Sequence, residues 1–333
     1  MNENIITIGQ IGRVVTGKTP PTSNQEYFEG DYPFITPTDI GTFYEKYLNT
    51  TERTISNEGV KILKSCIIPA NSVCFVSIGS TIGKMCYTNK QSFTNQQINS
   101  IVVNDNFDSE YIFYYLRYIR SYFMSIGSGT GSGKGIVNKS TFCNTKVKIE
   151  MNKDVQKSIS NVLSTYDSLI ENNNKRIKIL EQMAEELYKE WFVRFRFPEY
   201  KDYKFKHEKP KGWLLGTHND MKIPQDWSFG KVENIGNFSR GKNITKEQMI
   251  EGNVPVISAG IEPSGYHNAS NVKGMSLTMS ASGANAGYLK YNLDDIWAAD
   301  CSYYQDDSNI WFMYHSLNFI RKAIDNLQVG SAQ

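Results

Sequence analysis

The chain has 333 residues, 36 basic and 34 acidic side chains (net charge +2), 40% hydrophobic and 21% charged residues. That length suits about two domains, and no stretch approaches the roughly 18 apolar residues of a membrane span. The start, Met1-Asn2-Glu3-Asn4, lacks a secretory signal's basic and apolar segments, and the odd number of cysteines (66, 74, 86, 143 and 301) with no CxxC pair argues against a disulfide framework or structural zinc and fits a reducing cytoplasm.

Residues 1–150 mix short β-like runs with Gly, Pro, Asn and Ser turns, as in Tyr32-Pro33-Phe34-Ile35-Thr36 and Ser72 to Ile78. The spacing of Tyr111, Ile112, Tyr115, Leu116 and Ile119 predicts one amphipathic helix from Ser109 to Met124. Gly12-Arg13-Val14-Val15-Thr16-Gly17-Lys18-Thr19 fits the Walker A pattern letter for letter. A phosphate loop needs a helix starting at its Lys-Thr, and Pro20-Pro21-Thr22-Ser23-Asn24 is poor helix text. Ser128 to Gly135 fails the same pattern at its first Gly and its hydroxyl. It reads as a mobile Gly-Ser loop, or as a loop whose N–H groups and Lys134 touch DNA phosphates.

Residues 154–192 contain no Gly and no Pro. Ile159, Tyr166, Leu180 and Leu187 recur at heptad spacing, and Leu163, Ile170, Ile177, Ala184 and Trp191 follow four positions on. That is the stripe of a long helix packing along another helix, ~55–60 Å long at ~1.5 Å per residue. Asn173 falls on the stripe. It either fixes register as a buried polar residue or sits at an exposed edge. Residues 151–197 are assigned to this spacer helix. Residues 198–223, rich in Lys, Glu, Asp and Tyr, read as a linker with weak structure. From Pro224 to Gln333 the β-like, Gly-rich text returns.

The two β-like regions repeat the same landmarks. Ile8-xx-Ile11-Gly12-xxxx-Gly17-Lys18 matches Val232-xx-Ile235-Gly236-xxxx-Gly241-Lys242, and Pro33 to Thr36 matches Pro255 to Ser258. Gly79-xxx-Gly83 matches Gly283-xxx-Gly287, which sets Asn95-Gln96 opposite Ala299-Asp300. Tyr111–Arg120 corresponds to Ile310–Arg321. Landmarks in one order indicate duplicated domains. Asn243 stands where a second phosphate loop would need its hydroxyl, so a shared turn of the scaffold explains both copies better than nucleotide binding. The second copy stops near the counterpart of Ser128-Gly129-Thr130, and we expect residues 224–333 to be an incomplete second domain without its own spacer helix. Glu199-Tyr200-Lys201 has the ExK spacing of some nucleases but lies in the linker, and the histidines at 207, 218, 267 and 315 show no metal spacing. No catalytic centre is visible.

Gly17-Lys18-Thr19-Pro20, Tyr32 to Ile40, the Ile223-Pro224-Gln225-Asp226-Trp227 entry and the helix ending Leu180-Glu181-Gln182-Met183-Ala184-Glu185-Glu186-Leu187-Tyr188-Lys189-Glu190-Trp191-Phe192 together resemble the specificity subunits of type I restriction–modification enzymes. The resemblance covers nearly the whole chain, and the helix is its most specific part. It implies an α+β fold in which two β-rich target-recognition domains are joined by a long coiled-coil helix. It implies a non-catalytic DNA-binding protein whose two domains each read half of a bipartite double-stranded DNA site. Modification (methyltransferase) and restriction subunits would be the partners, and S-adenosylmethionine, ATP and Mg²⁺ would belong to them, with no cofactor or metal in this chain. A ~55 Å helix exceeds the ~34 Å of one duplex turn.

Base readout favours Arg or Lys on guanine and Asn or Gln on adenine. In turn contexts this selects Lys18, Lys84, Gln96, Gln97, Lys134 and Lys139 in the first copy, and Arg240, Lys242 and Asn285 in the second. The stripe Ile159, Leu163, Tyr166, Ile170, Asn173, Ile177, Leu180, Ala184, Leu187 and Trp191 is the expected pairing surface, for self-association or for a separately encoded half-subunit. The competing readings are a coiled-coil adaptor that reads no DNA, an inactive truncated cassette, and a nucleotide-dependent enzyme built on Gly12–Thr19.

Overall fold

The computed structural model describes residues 3–41, 46–48, 50–128, 135–208, 221–306 and 308–321. Its contacts divide the chain into two units, Met1–Arg176 and Ile177–Gln333. In chain order the first unit runs β1 (Glu3–Thr7), α1 (Ile8–Ile11), β2 (Gly12–Thr16), β3 (Phe28–Ile35), β4 (Arg53–Ile55), α2 (Asn57–Ile62), β5 (Val73–Val76), β6 (Met85–Tyr87), β7 (Phe93–Thr94) and β8 (Ile98–Val103). Then come α3 (Ser109–Tyr118), α4 (Arg120–Ser128), α5 (Lys139–Asn144), β9 (Lys146–Glu150) and α6 (Lys153–Tyr188), which continues into the second unit.

Among the described residues, three sheets build the first unit. β2-β8-β5-β6 is antiparallel, β4-β3-β7 has a parallel β3–β7 pair, and β1 pairs antiparallel with β9. All four β5 residues are buried, so this apolar run is covered on both faces. Phe75 lies 4.8 Å, centroid to centroid, from both Phe123 of α4 and Phe142 of α5. The single helix expected over Ser109–Met124 is two helices that break at Ile119 (φ −87°, ψ 12°). Asp108 caps the first by accepting the Tyr111 N–H at 2.8 Å, which satisfies one of the orphan donors of its first turn.

The second unit rebuilds the same plan. After α6 it runs β10 (Phe205–Glu208), β11 (Met221–Pro224), β12 (Ser239–Arg240), β13 (Val254–Ile257), β14 (Gly265–His267), β15 (Ser276–Ser280), β16 (Leu289–Asn292), β17 (Trp297–Ala298), β18 (Cys301–Tyr304) and α7 (Ile310–Phe319). The sheet β12-β18-β15-β16 matches β2-β8-β5-β6, and β14-β13-β17, again with its last pair parallel, matches β4-β3-β7. The repeated glycines occupy repeated conformations: Gly79 and Gly283 have φ of 71° and 73°, and Gly83 and Gly287 both 83°. These left-handed angles cost glycine little and other residues more, which is why the spacing survives in both copies.

At ~1.5 Å per residue the 36 residues of α6 extend about 54 Å. Its first turns dock on the first unit. Gln156 is fully buried, accepting the Asp108 N–H at 2.7 Å and donating to the Glu150 carbonyl at 2.6 Å. Ile159 packs against the main core, and Asp167 accepts the Tyr114 hydroxyl at 2.8 Å. Burial, then that bond to the carboxylate, drives the Tyr114 phenol far above its ordinary range. Leu163, Tyr166, Ile170, Asn173, Ile177, Leu180 and Leu187 are exposed, and Ala184 is half-buried.

The helix ends in a π turn over Lys189–Val193, closed by the Arg194 N–H on the Lys189 carbonyl at 2.8 Å. Trp191 is half-buried there, and Phe192 meets Trp227 and Phe312 at 5.9 and 4.8 Å between centroids. The stretch read as a weakly structured linker contains the antiparallel pair β10–β11. Phe205 is the one apolar residue among the four of β10, so this strand shows no apolar alternation in the sequence.

Candidate nucleic-acid interface

In the first unit several turns converge through backbone bonds. The Asn95 N–H donates to the end of β3 at Ile35 (3.1 Å), Ser77 N–H to Gln97 (2.9 Å), Gly79 N–H to Gly135 (2.9 Å) and Val137 N–H to Ser77 (2.8 Å). Gly17 approaches the same place so closely that a Cβ would strike the carbonyl oxygens of Thr94 and Asn95. The turn following β2, the turn between β7 and β8, the glycine turn after β5 and the segment before α5 therefore form one local surface.

On it, Lys18 and Gln96 are exposed, and the Thr19 hydroxyl donates to Gln96 Oε1 at 2.7 Å. Gln97 is half-buried; its backbone N–H reaches Asn95 Oδ1 at 3.0 Å and its Oε1 accepts from Asn95 Nδ2 at 3.2 Å. Lys84 is half-buried and spends a hydrogen bond on the Ile40 carbonyl at 3.1 Å, so it ties two loops together. Lys139 is exposed as the first residue of α5. Lys134 lies outside the described residues.

The second unit repeats the arrangement with different side chains. The Ala299 N–H donates to Ile257 at 2.8 Å, as Asn95 does to Ile35, and Gly241 packs on the carbonyls of Ala298 and Ala299. Lys242 is exposed; its N–H binds the Ala298 carbonyl at 2.9 Å, and its carbonyl accepts the Trp297 indole N–H at 2.8 Å. Arg240 is exposed, with a guanidinium nitrogen 3.8 Å from Asp300 Oδ1. Asn285 closes the glycine turn by accepting the Tyr288 N–H on its backbone carbonyl at 2.9 Å.

Asp300 is the residue that sequence reasoning passed over. The Ser282 hydroxyl donates to its Oδ2 at 3.1 Å, and it stands where the first copy has Gln96. The repeat already set the two opposite each other; a selection restricted to Arg, Lys, Asn and Gln removed the carboxylate.

The chemistry available on these turns is polar recognition. Gly12–Thr16 is a strand, and no helix starts at Lys18–Thr19; a short 3₁₀ turn follows only at Gln25–Tyr27, so Gly12–Thr19 lacks the helix N-terminus of a phosphate loop. Cys66, Cys74, Cys86 and Cys301 are buried and Cys143 half-buried. Burial pushes the Cys301 thiol up to about 11, the opposite of what a thiolate nucleophile needs. His267 accepts the Ile250 N–H on Nδ1 at 3.0 Å, and His315 stacks on Tyr188. Among the described residues no group of His, Cys, Asp or Glu could hold a metal ion, and no helix is long and apolar enough to cross a membrane.

Residues 2–182 match the family model of the type I restriction modification DNA specificity domain. The chain belongs to this family. It is 30% identical to the type I restriction enzyme MjaIX specificity subunit of Methanocaldococcus jannaschii, over 75% of this chain and 55% of that protein. It is also 30% identical to the HindI specificity subunit of Haemophilus influenzae, over 51% of this chain and 37% of that protein. The chain thus spans about half the length, or less, of these curated relatives. A crystal structure of a type I restriction–modification S subunit from M. genitalium shares the fold, with a TM-score of 0.56 at 17% identity, covering 98% of this chain and 79% of that one. In this family member the mixed α+β plan, two β-rich regions with a long helix between them, agrees with the fold expected from the text of the chain.

Proposed function

We propose that this chain is a sequence-specific DNA-recognition subunit of a type I restriction–modification complex. It is non-catalytic and cytoplasmic, and each β-rich unit reads one half of a bipartite duplex site. The observation that carries this reading is the duplicated turn surface: one scaffold, built twice, displays Lys18 with Gln96 in one copy and Lys242 with Arg240 and Asp300 in the other. A conserved backbone with different exposed donors and acceptors is what two readers of unlike half-sites require. Weak net charge suits the role, because a handful of placed lysines and arginines suffices for phosphate contact.

In this reading α6 is the spacer on which methyltransferase subunits dock, with a restriction subunit joining for cleavage. S-adenosylmethionine, ATP and Mg²⁺ sit on those partners. The exposed apolar side chains from Leu163 to Leu187 receive a second long helix, from another copy or a separate half-subunit.

The test is to co-express the chain with the modification subunits of its host and map adenine methylation genome-wide by single-molecule sequencing. A split motif that appears only with this chain supports the proposal. Stable assembly without any chain-dependent motif overturns it, and failure to assemble at all returns the chain to the adaptor class.

A further inference from the structure

The turn between β7 and β8 and its counterpart between β17 and β18 occupy the same place in the two copies. Each starts with an N–H donated to the end of the parallel partner strand, at Ile35 or Ile257. Each is pressed against a glycine, Gly17 or Gly241, that is followed by an exposed lysine. Each presents one side chain held by a hydroxyl from a neighbouring turn: Gln96 by Thr19 at 2.7 Å and Asp300 by Ser282 at 3.1 Å. Side chains held in this way are oriented before any ligand arrives, which lowers the ordering cost of binding.

Their chemistry differs. An amide offers one acceptor and two donors, matching the N6–H and N7 of adenine. An ionised carboxylate only accepts, so it is repelled by phosphate and suits an exposed amino group such as cytosine N4–H₂. Beside Asp300, the Arg240 guanidinium at 3.8 Å offers the donors that guanine O6 and N7 accept. Carboxylate and guanidinium side by side match the major-groove edge of one C·G pair, where a donor on cytosine adjoins acceptors on guanine.

We infer that this turn is the base-reading position of both copies, with Gln96 reading an adenine in one half-site and Asp300, with Arg240, reading a C·G pair in the other. The inference rests on the proposed DNA-recognition function. It assigns Lys18 and Lys242 to flanking phosphates, which position the readers and carry no sequence information.

The experiment is enrichment of a randomised duplex library by the full chain assembled with its modification subunits, for the wild type, Gln96→Glu and Asp300→Asn. Both changes nearly preserve side-chain shape at surface turns, and an unchanged melting curve verifies folding. Gln96→Glu should cost the selected adenine its preference by roughly tenfold or more, with cytosine gaining at that position. Asp300→Asn should do the same to a cytosine in the other half, and every other position should stay as in the wild type. If the wild type selects a motif and either variant selects it unchanged, the equivalence of the two turns is overturned while DNA recognition stands. If the wild type selects no motif, both fall together.

Discussion

Gly17 and Gly241 show how one residue type can serve a scaffold for steric reasons. Neither has a left-handed φ, so an alanine would be tolerated by the backbone itself. What forbids it is backbone on the other side: carbonyls of Thr94 and Asn95 against Gly17, and of Ala298 and Ala299 against Gly241. Backbone cannot swing aside as a side-chain tip can, so Gly17→Ala should cost about 3 kcal/mol, the upper part of the overpacking range. Gly79 is the opposite case, with φ 71° and nothing within 4 Å of the added carbon. Gly79→Ala should therefore cost about 1 kcal/mol, the left-handed penalty alone. Urea denaturation of the two variants decides the matter; equal losses would mean that the close approach at Gly17 is relaxed in solution.

At the scale of the element, α6 is two helices in one. Its first turns are pinned by the buried Gln156 and the Tyr114–Asp167 bond, while its middle carries apolar side chains such as Leu180, 59% exposed, with no cover among the described residues. Helix propensity and the Glu171–Lys175 pair at 2.6 Å support that middle modestly, and in the proposed reading its hydrophobic stripe serves association rather than the fold of one chain. Gln156→Leu should lower stability by about 1–3 kcal/mol, because the Asp108 N–H and Glu150 carbonyl lose their partner. Leu180→Glu should stay within about 0.5 kcal/mol of wild type in a dilute monomer yet weaken self-association in sedimentation. A Leu180→Glu chain that associates as strongly as the wild type would remove the stripe from the pairing surface.

At the scale of the whole molecule, each unit has its own hydrophobic core. Phe75, Phe113, Phe123 and Phe142 anchor the first, and Leu277, Tyr304, Ile310 and Met313 the second. Phe75 is fully buried between two rings, and Phe75→Ala should cost about 3–5 kcal/mol. The loss should appear in hydrogen exchange as faster amides in β5 and β8, with β15 and β18 of the second unit protected as before. Equal loss of protection in both units would show that the chain unfolds as one cooperative body.

Much of this was legible in the text of the chain, and for a physical reason. The duplication shows because glycines recur where φ is positive, as at Gly79 and Gly283, or where backbones touch, as at Gly17 and Gly241; those demands are local and leave the same letters each time. The long helix shows because apolar spacing persists through 154–192 without Gly or Pro. The tertiary structure alone decided the rest. Whether Ile159 faces a core and Leu180 faces outward depends on how far the first unit's core reaches along α6, which spacing does not encode. The β10–β11 pair and the π turn at Lys189–Val193 depend on partners distant in sequence, Met221–Pro224 for the strand and Trp227 with Phe312 for the aromatic rings. Asp300 joins the candidate interface because Ser282, Arg240 and the end of β13 meet around it. A carboxylate carries no mark of that role until folding brings those neighbours within hydrogen-bond or ion-pair reach.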